Sequence, residues 1–370
     1  MQFIVNKQEF DRQLAPVSRI VTPRSTAPIL SNVLIATEKD SVRLTATDGE
    51  LTISASLPAR VGQEGSFSVP AKLLQEFVHQ NPDNELTVVL ESFELLISSA
   101  KVQGRISGLD PEEFPLFPTV TDGTVLQLPL QEFIESLKQV VVACAQDATR
   151  PVLTGVYLHV QGDAATIAAT DSFRLSEKRI MIRPIDGERI LLIPARTVQE
   201  IIRISATLPP TDELKLEVSE QQLLVRLGSV EIYSRLLVGN FPNYTAIIPK
   251  EFEVVVEVAT SELVQALRLS TIFAIGGIAN VRIEISEDGS LSLAAHGSQR
   301  GKATHTLYAV PEEGFKPLVA AFNARYLLDA VQAPSSPSLT LKFSGALKPL
   351  VILNDNPNYL QLVMPIRPDA

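Results

Sequence analysis

Apolar residues recur at helical spacing three times along the chain. Phe10, Leu14 and Val17 stand at i, i+4 and i+7, and so do Phe133, Leu137 and Val140; the third set is Leu263 and Leu267 with the polar Ser270. That period predicts three amphipathic helices. Asn6 and Glu9, just ahead of the first, have the spacing of a capping box. A second helix is predicted after Pro70, Pro194 and Asn323, with Pro in the first turn of two of the three, where its missing N–H costs nothing. Alternating runs such as Val42 to Thr47, Leu86 to Leu90 and Leu223 to Leu227 predict half-buried antiparallel strands. Two helices covering an antiparallel sheet, three times over, make an α+β fold.

The same blocks return in the same order. Pro28-Ile29-Leu30-Ser31-Asn32-Val33 recurs as Pro151-Val152-Leu153-Thr154-Gly155-Val156, and Leu44 to Asp48 recurs as Ile167 to Asp171, each displaced by 123 residues. Val69-Pro70-Ala71-Lys72 recurs as Ile193-Pro194-Ala195-Arg196, and Phe114-Pro115 as Phe241-Pro242. A fainter third copy places Phe322 to Leu327 after the Pro194 block and Ser292 to Ala295 at the Thr-Asp position. Internal repeats fix the architecture before any other feature. They predict three domains, 1–122, 123–249 and 250–370, with boundaries where Pro, Gly and Asp collect. The outermost strands of such an array need protection, by closure into a ring or by divergent capping strands.

Length agrees, since 370 residues exceed what one core fills. With 45% apolar and 20% charged residues the chain is an ordinary globular one. Its 32 basic against 42 acidic residues give a formal charge of −10, which argues against coating nucleic acid by bulk electrostatics. One cysteine, Cys144, allows no internal disulfide and fits a reducing cytosol; it lies on an apolar helical face as a core residue. The N-terminus lacks a secretory pattern, and no apolar run approaches the ~20 residues that span a bilayer. Cytoplasmic location is expected.

Catalytic candidates are few. Gly297-Ser298-Gln299-Arg300-Gly301-Lys302 has the wrong glycine spacing for a phosphate loop, and His296 and His305 have no third ligand. No metal and no cofactor are expected. Thr47-Asp48 and Thr170-Asp171 read as strand-closing turns rather than duplicated catalytic acids. One repeated feature is physically odd. Lys72, Arg196 and Arg325 each fall in the first turn of the second helix, where a cation opposes the helix dipole. Either Glu76, Glu200 and Asp329 neutralise them at i+4, or three equivalent helices aim cations at one extended polyanion.

Pro28 to Asn32, Ala169-Thr170-Asp171-Ser172-Phe173-Arg174-Leu175, Gly239-Asn240-Phe241-Pro242-Asn243-Tyr244 and Val363-Met364-Pro365-Ile366-Arg367 together resemble the bacterial sliding clamps, the beta subunits of DNA polymerase III, over the whole length. The resemblance implies three copies of the DNA-clamp domain and a head-to-tail homodimer closing a six-domain ring around duplex DNA. Helices would line the hole and sheets the outer wall. Such a ring is a non-catalytic processivity factor. Its partners would be duplex DNA, the replicative polymerase, an ATP-driven clamp loader and repair proteins, and it would lie in the cytoplasm with the nucleoid. A pocket for their short linear motifs would comprise Leu153, Thr170, Ser172, Phe173, Arg174, Leu175, Pro242, Ile247, Leu347, Pro349, Leu362, Met364, Pro365, Ile366 and Arg367. DNA-facing cations would be Arg24, Lys72, Arg150, Arg196, Arg282 and Arg325. The dimer contact would run through Gln103 to Leu109 and Ile272-Phe273, with Ile106, Ile272 and Phe273 as anchors.

The chain departs from the family pattern at Phe173, at Ala246, at Pro151-Val152 and in the Asp369-Ala370 extension, which leave the pocket rim and the DNA contact near Arg150 open. A function of another class would be a cytosolic repeat-built transferase using Asp48, Asp171 and Arg174 on a small phosphorylated substrate.

Overall fold

A computed structural model describes residues 1–21, 27–115, 123–207, 213–273, 280–297 and 301–366. The first repeat runs β1 (Gln2–Asn6), α1 (Lys7–Arg19), β2 (Asn32–Glu38), β3 (Ser41–Thr47), β4 (Leu51–Pro58), β5 (Arg60–Gln63), β6 (Gly65–Pro70), α2 (Ala71–Gln80), β7 (Glu85–Glu91), β8 (Glu94–Ser98), β9 (Gln103–Ser107). The second runs β10 (Thr124–Pro129), α3 (Leu130–Val141), β11 (Gly155–Gln161), β12 (Ala164–Thr170), β13 (Arg174–Met181), β14 (Glu188–Pro194), α4 (Ala195–Ser205), β15 (Glu213–Val218), β16 (Gln222–Leu227), β17 (Val230–Arg235). The third runs β18 (Val254–Ala259), α5 (Thr260–Phe273), β19 (Asn280–Ile285), β20 (Leu291–Gly297), β21 (Gly301–Leu307), β22 (Ala309–Pro311), β23 (Leu318–Asn323), α6 (Ala324–Gln332), β24 (Ser338–Phe343), β25 (Leu350–Leu353), β26 (Tyr359–Val363). The faint third copy thus has the full order of the other two, with a short extra strand, β5 or β22, in the first and third.

The strands form four antiparallel sheets. Two contain strands of a single repeat: β5-β1-β7-β8-β9 and β21-β20-β19-β23. The other two cross repeat boundaries. In the eight-stranded sheet β4 of the first repeat pairs with β17 of the second, and in the nine-stranded sheet β13 of the second pairs with β26 of the third. Contacts consequently divide the chain into two compact units, Met1–Leu130 with Gln199–Leu236, and Gln131–Val198 with Leu237–Ala370.

The predicted helical stripes are the buried faces. Phe10, Leu14 and Val17 are fully buried in the first unit, where α1 packs on β3, β4 and α2. In the second unit α5 and α6 place Leu263, Leu267, Leu327 and Val331 in one cluster with Val281, Ile283 and Phe322. Ser270, the polar member of its stripe, is buried and donates its hydroxyl to the Ala266 carbonyl at 2.8 Å, so its burial leaves no unpaired group.

Helix starts differ in detail from expectation. Asn6 Oδ1 accepts the Glu9 N–H at 3.1 Å, but the Glu9 carboxylate turns to Arg12 and Gln13 instead of closing the box. Pro70 is the residue before α2 and ends β6, one position ahead of the first turn. Asn323 caps α6, accepting from the Arg325 and Tyr326 N–H groups at 3.0 and 3.4 Å.

Candidate functional site

The Thr-Asp blocks build the same turn twice. Asp48 Oδ1 accepts from the Glu50 and Leu51 N–H groups, and Asp171 Oδ1 from those of Phe173 and Arg174. The Thr47 hydroxyl donates to the Leu51 carbonyl, and that of Thr170 to the Arg174 carbonyl. A structural turn was the expected role, and both aspartates fill it. The copies differ at the next position: Gly49 has φ +95°, and its counterpart Ser172 is held at +78°. A left-handed serine costs about 1–2 kcal/mol.

The copies differ again on the joint strand. Leu51, Ile53 and Ala55 of β4 are buried apolar residues; 123 positions later, β13 buries Arg174, Ser176 and Lys178. Ser176 Oγ donates to the Gln139 carbonyl at 3.0 Å, and Lys178 stands 6.0 Å over the Tyr359 ring, where burial pushes its pKa down. Arg174 is the most engaged. Its Nε lies 2.9 Å from Asp171 Oδ2, its NH1 lies 2.5 Å from Asp329 Oδ2, and the Tyr326 ring lies 4.5 Å from its guanidinium.

Around this turn the second unit gathers much of the apolar set. Phe173, 60% exposed, stacks on Tyr326 at 6.5 Å. The chain after β26 continues along the turn: the Met364 N–H donates to the Phe173 carbonyl at 2.8 Å, Pro365 bridges to Phe322, and the Ile366 N–H donates to the Ala321 carbonyl at 2.7 Å. Leu175 and Leu362 are buried with Tyr244, flanked by Phe241, Ile248 and Met364. Pro242 and Ile247 are exposed beside that cluster, and Leu347 is 62% exposed on the β24–β25 connection. Pro349 is the next residue outward from the Leu350–Val363 pair. Leu153 is buried in a short 3-10 turn, and exposed Arg150 donates to Ser172 Oγ at 3.3 Å. Gly239 has φ +136°, and a Cβ there would lie 2.5 Å from Val152 Cγ1, so a side chain at this position would be strained and would force Val152 to shift. Arg367, Asp369 and Ala370 lie outside the described residues.

Tyr326, Asp329 and Asn323 were not among the expected pocket residues. Tyr326 and Asp329 come from α6 and Asn323 is its cap, with Asp329 155 positions from Arg174. Their only sequence signal was proximity to Arg325, together with the loss of the apolar pattern at Arg174, Ser176 and Lys178.

The cations separate into groups. Lys72 and Arg325 are exposed in the first turns of α2 and α6, and among the described residues neither side chain is in an ion pair. Of the two readings, i,i+4 neutralisation is not what the structure shows for Arg325, because Asp329 faces Arg174. Arg196 is exposed in the first turn of α4, while the buried Glu200 carboxylate holds Arg19 and Arg203 at 3.1 and 2.5 Å. Arg282 departs from the set. It stands on β19 between the buried Val281 and Ile283, on the opposite sheet face from α5 and α6, and pairs with Glu284 at 3.3 Å. Arg24 lies outside the described residues.

Of the residues expected at a dimer contact, Ile272 is 56% exposed near the end of α5, followed by half-buried Phe273. Ile106 is buried, on the same face of β9 as Gly104, where a Cβ would strike the Phe77 ring. Burial pushes the Cys144 thiol up to about 12. Gly297 and Gly301 are cross-strand partners of β20 and β21, a hairpin end. Among the described residues no group of three His, Cys, Asp or Glu could hold a metal, and no helix is long and apolar enough to cross a membrane.

Three family models match in succession: the N-terminal, central and C-terminal domains of the DNA polymerase III beta subunit, over residues 1–118, 127–243 and 245–367. The beta sliding clamp of Halalkalibacterium halodurans is 31% identical over 382 residues, covering 99% of this chain and all of that one. The crystal structure of the Bacillus subtilis DNA polymerase sliding clamp superposes with a TM-score of 0.93 at 26% identity, covering 99% of both chains. A Pseudomonas aeruginosa sliding clamp bound to griselimycin has the same fold, with a TM-score of 0.92 at 23% identity and 99% of both chains covered.

Proposed function

The chain belongs to the family of bacterial sliding clamps, the beta subunits of DNA polymerase III, and from that premise we propose that two copies join head to tail into a six-domain ring that carries the polymerase along duplex DNA. Its function is that of the family, a processivity factor. The observation that carries the ring is an unfinished series of joints. The third strand of each middle meander pairs with the last strand of the following repeat: β4 with β17, then β13 with β26. By the same rule β21 of the third repeat needs the last strand of a following repeat, and among the described strands β9 of the first repeat is the last strand left as an edge. A second copy supplies one to the other, twice, and both open edges are closed.

Nothing in this reading needs catalysis, and we take the chain as non-catalytic. Lys72, Arg196 and Arg325 would face the enclosed duplex, with Arg150 near by and Arg282 outside the set. Encirclement holds DNA by topology, so weak phosphate contacts suffice, and a formal charge of −10 is compatible with them. The surface around Phe173, Ile247, Leu347 and Met364 would receive short apolar motifs of the polymerase, the ATP-driven loader and repair proteins, at a cytoplasmic site on the chromosome. A half-buried Met and exposed large apolar side chains suit a site that accepts several related peptides.

The deciding experiment loads the protein on nicked circular DNA and then cuts the circle. Retention on the circle and loss from the linear form are expected; equal retention on both overturns the topological mechanism.

A further inference from the structure

The two joints between repeats are closed differently on the side of the helices. At the first, Gln13 of α1 donates to Ser229 Oγ on the β16–β17 turn at 2.9 Å and to Glu9 Oε1 at 3.0 Å, so a side-chain hydrogen bond ties the first helix of one repeat to the last hairpin of the next. At the second, the same pair of elements leaves a polar pocket of about 660 Å³ within the second unit. Glu135 and Gln139 of α3 form one wall, and Ser335 beyond α6 with residues 354–357 of the β25–β26 connection forms the other. Two observations point to what it takes. Gln139 is 6% exposed; its carbonyl accepts from Ser176 Oγ and the Tyr359 hydroxyl, its Nε2 donates to Glu135 Oε1 at 3.4 Å, and its buried Oε1 has no donor among the described residues. A buried acceptor of this kind calls for a partner. The second observation is an excess of negative charge. Glu132, Glu135 and Gln139 stand at i, i+3 and i+7 on one face of α3, and Asp355 is exposed on the opposite wall. Burial pushes the pKa of Lys178 down while the charges of Glu132, Glu135 and Asp355 push it back, so three carboxylates gather around one buried ammonium. Lys138 reaches Glu135 only at 3.7 Å and from the solvent side, where screening leaves the pair weak.

We infer that this pocket binds a linear aliphatic polyammonium ion, held between α3 of the second repeat and the β25–β26 connection of the third. Its walls carry carboxylates, carboxamides and a hydroxyl, and none of the lining residues is basic. Such a surface selects a cation that brings N–H donors with it. A point ion is a poorer match, because among the described residues no group of three His, Cys, Asp or Glu could hold a metal. An extended cation meets acidic groups that are spread apart, one ammonium toward Glu135 and the Gln139 carboxamide and another toward Asp355. The volume is that of a small-molecule site. By touching both walls the ligand supplies the cross-joint hydrogen bonds that Gln13 and Ser229 make directly at the first joint.

The test titrates the full chain with spermidine by isothermal calorimetry, at low salt and without DNA. Saturable binding of one spermidine per chain is expected. Glu135→Gln with Asp355→Asn should weaken it about tenfold or more, and Gln139→Leu about threefold. Glu112→Gln with Glu113→Gln removes the same charge from an exposed turn elsewhere and should stay within about twofold. Asp355→Asn alone, isosteric and at an exposed position, should still weaken binding about threefold, and it carries the test if the double variant loses its melting transition. Equal losses for the two double variants, or binding that does not saturate, would trace the effect to the overall charge of −10 and overturn the site. Affinity unchanged by Asp355→Asn overturns it as well. Magnesium chloride bound more tightly than spermidine, and lost in the same variants, would make the pocket a metal site and overturn the ligand assigned to it.

Discussion

Ser172 occupies a backbone conformation that its counterpart in the first repeat gives to a glycine, and the comparison turns strain into a measurable quantity. Its φ of +78° matches the +95° of Gly49 in a turn with the same Thr and Asp hydrogen bonds. The Ser172 hydroxyl accepts a hydrogen bond from Arg150 at 3.3 Å, whereas Gly49 has no side chain to make one. Ser172→Gly relieves about 1–2 kcal/mol of strain and returns part of it through the greater freedom of glycine when unfolded. The expected net gain is up to about 1 kcal/mol in denaturant unfolding. Gly49→Ser, which meets nothing within 4 Å, should lose about 1 kcal/mol through its backbone alone. A loss for Ser172→Gly would mean that the Arg150 contact to Ser172 outweighs the backbone term.

Helices and sheets show where sequence reasoning reached and where it stopped. Phe10, Leu14 and Val17, and their counterparts, were legible because burial on one face imposes the helical period whatever lies opposite. The joints were not, because β4 with β17 and β13 with β26 associate through backbone groups that every residue carries. Asp329 escaped for a related reason: its meaning comes from Arg174, which only folding brings near. The position of Arg282 was legible in advance, since Val281, Ile283 and Ile285 alternate around it and put it on the sheet face away from α5 and α6. The first-turn cations now separate experimentally. Lys72 and Arg325 gain nothing from an i+4 carboxylate and oppose their helix dipoles. Changing Lys72 and Arg325 together to Ala should therefore leave thermal stability level or slightly raised while retention on DNA falls, most visibly as salt is raised. A fall in stability with retention unchanged would return these residues to a structural role.

At the scale of the whole molecule, the proposed interface between copies and the proposed peptide surface are separable. The surface around Phe173 and Met364 is assembled within one chain, from α6, β13 and the segment after β26, whereas the proposed joint of β9 with β21 would form only between two. Ile272 is the place to separate them. It is 56% exposed near the end of α5, so replacing it costs little core packing, and a charge there is carried into an apolar contact only if copies meet. Ile272→Asp sets a carboxylate near a helix C-terminus, worth no more than about 1 kcal/mol against the fold. It would leave an unpaired charge in the interface, a penalty of several kcal/mol repeated at both joints of a closed dimer. Light scattering should then fall from twice 40.3 kDa toward 40.3 kDa, with melting and peptide binding preserved and retention on nicked circular DNA lost. A variant that stays dimeric places the joint elsewhere. One that becomes monomeric yet is still retained on circles removes topology from the mechanism, because an open half-ring has no way to hold a duplex except by affinity, which the charge of −10 argues against.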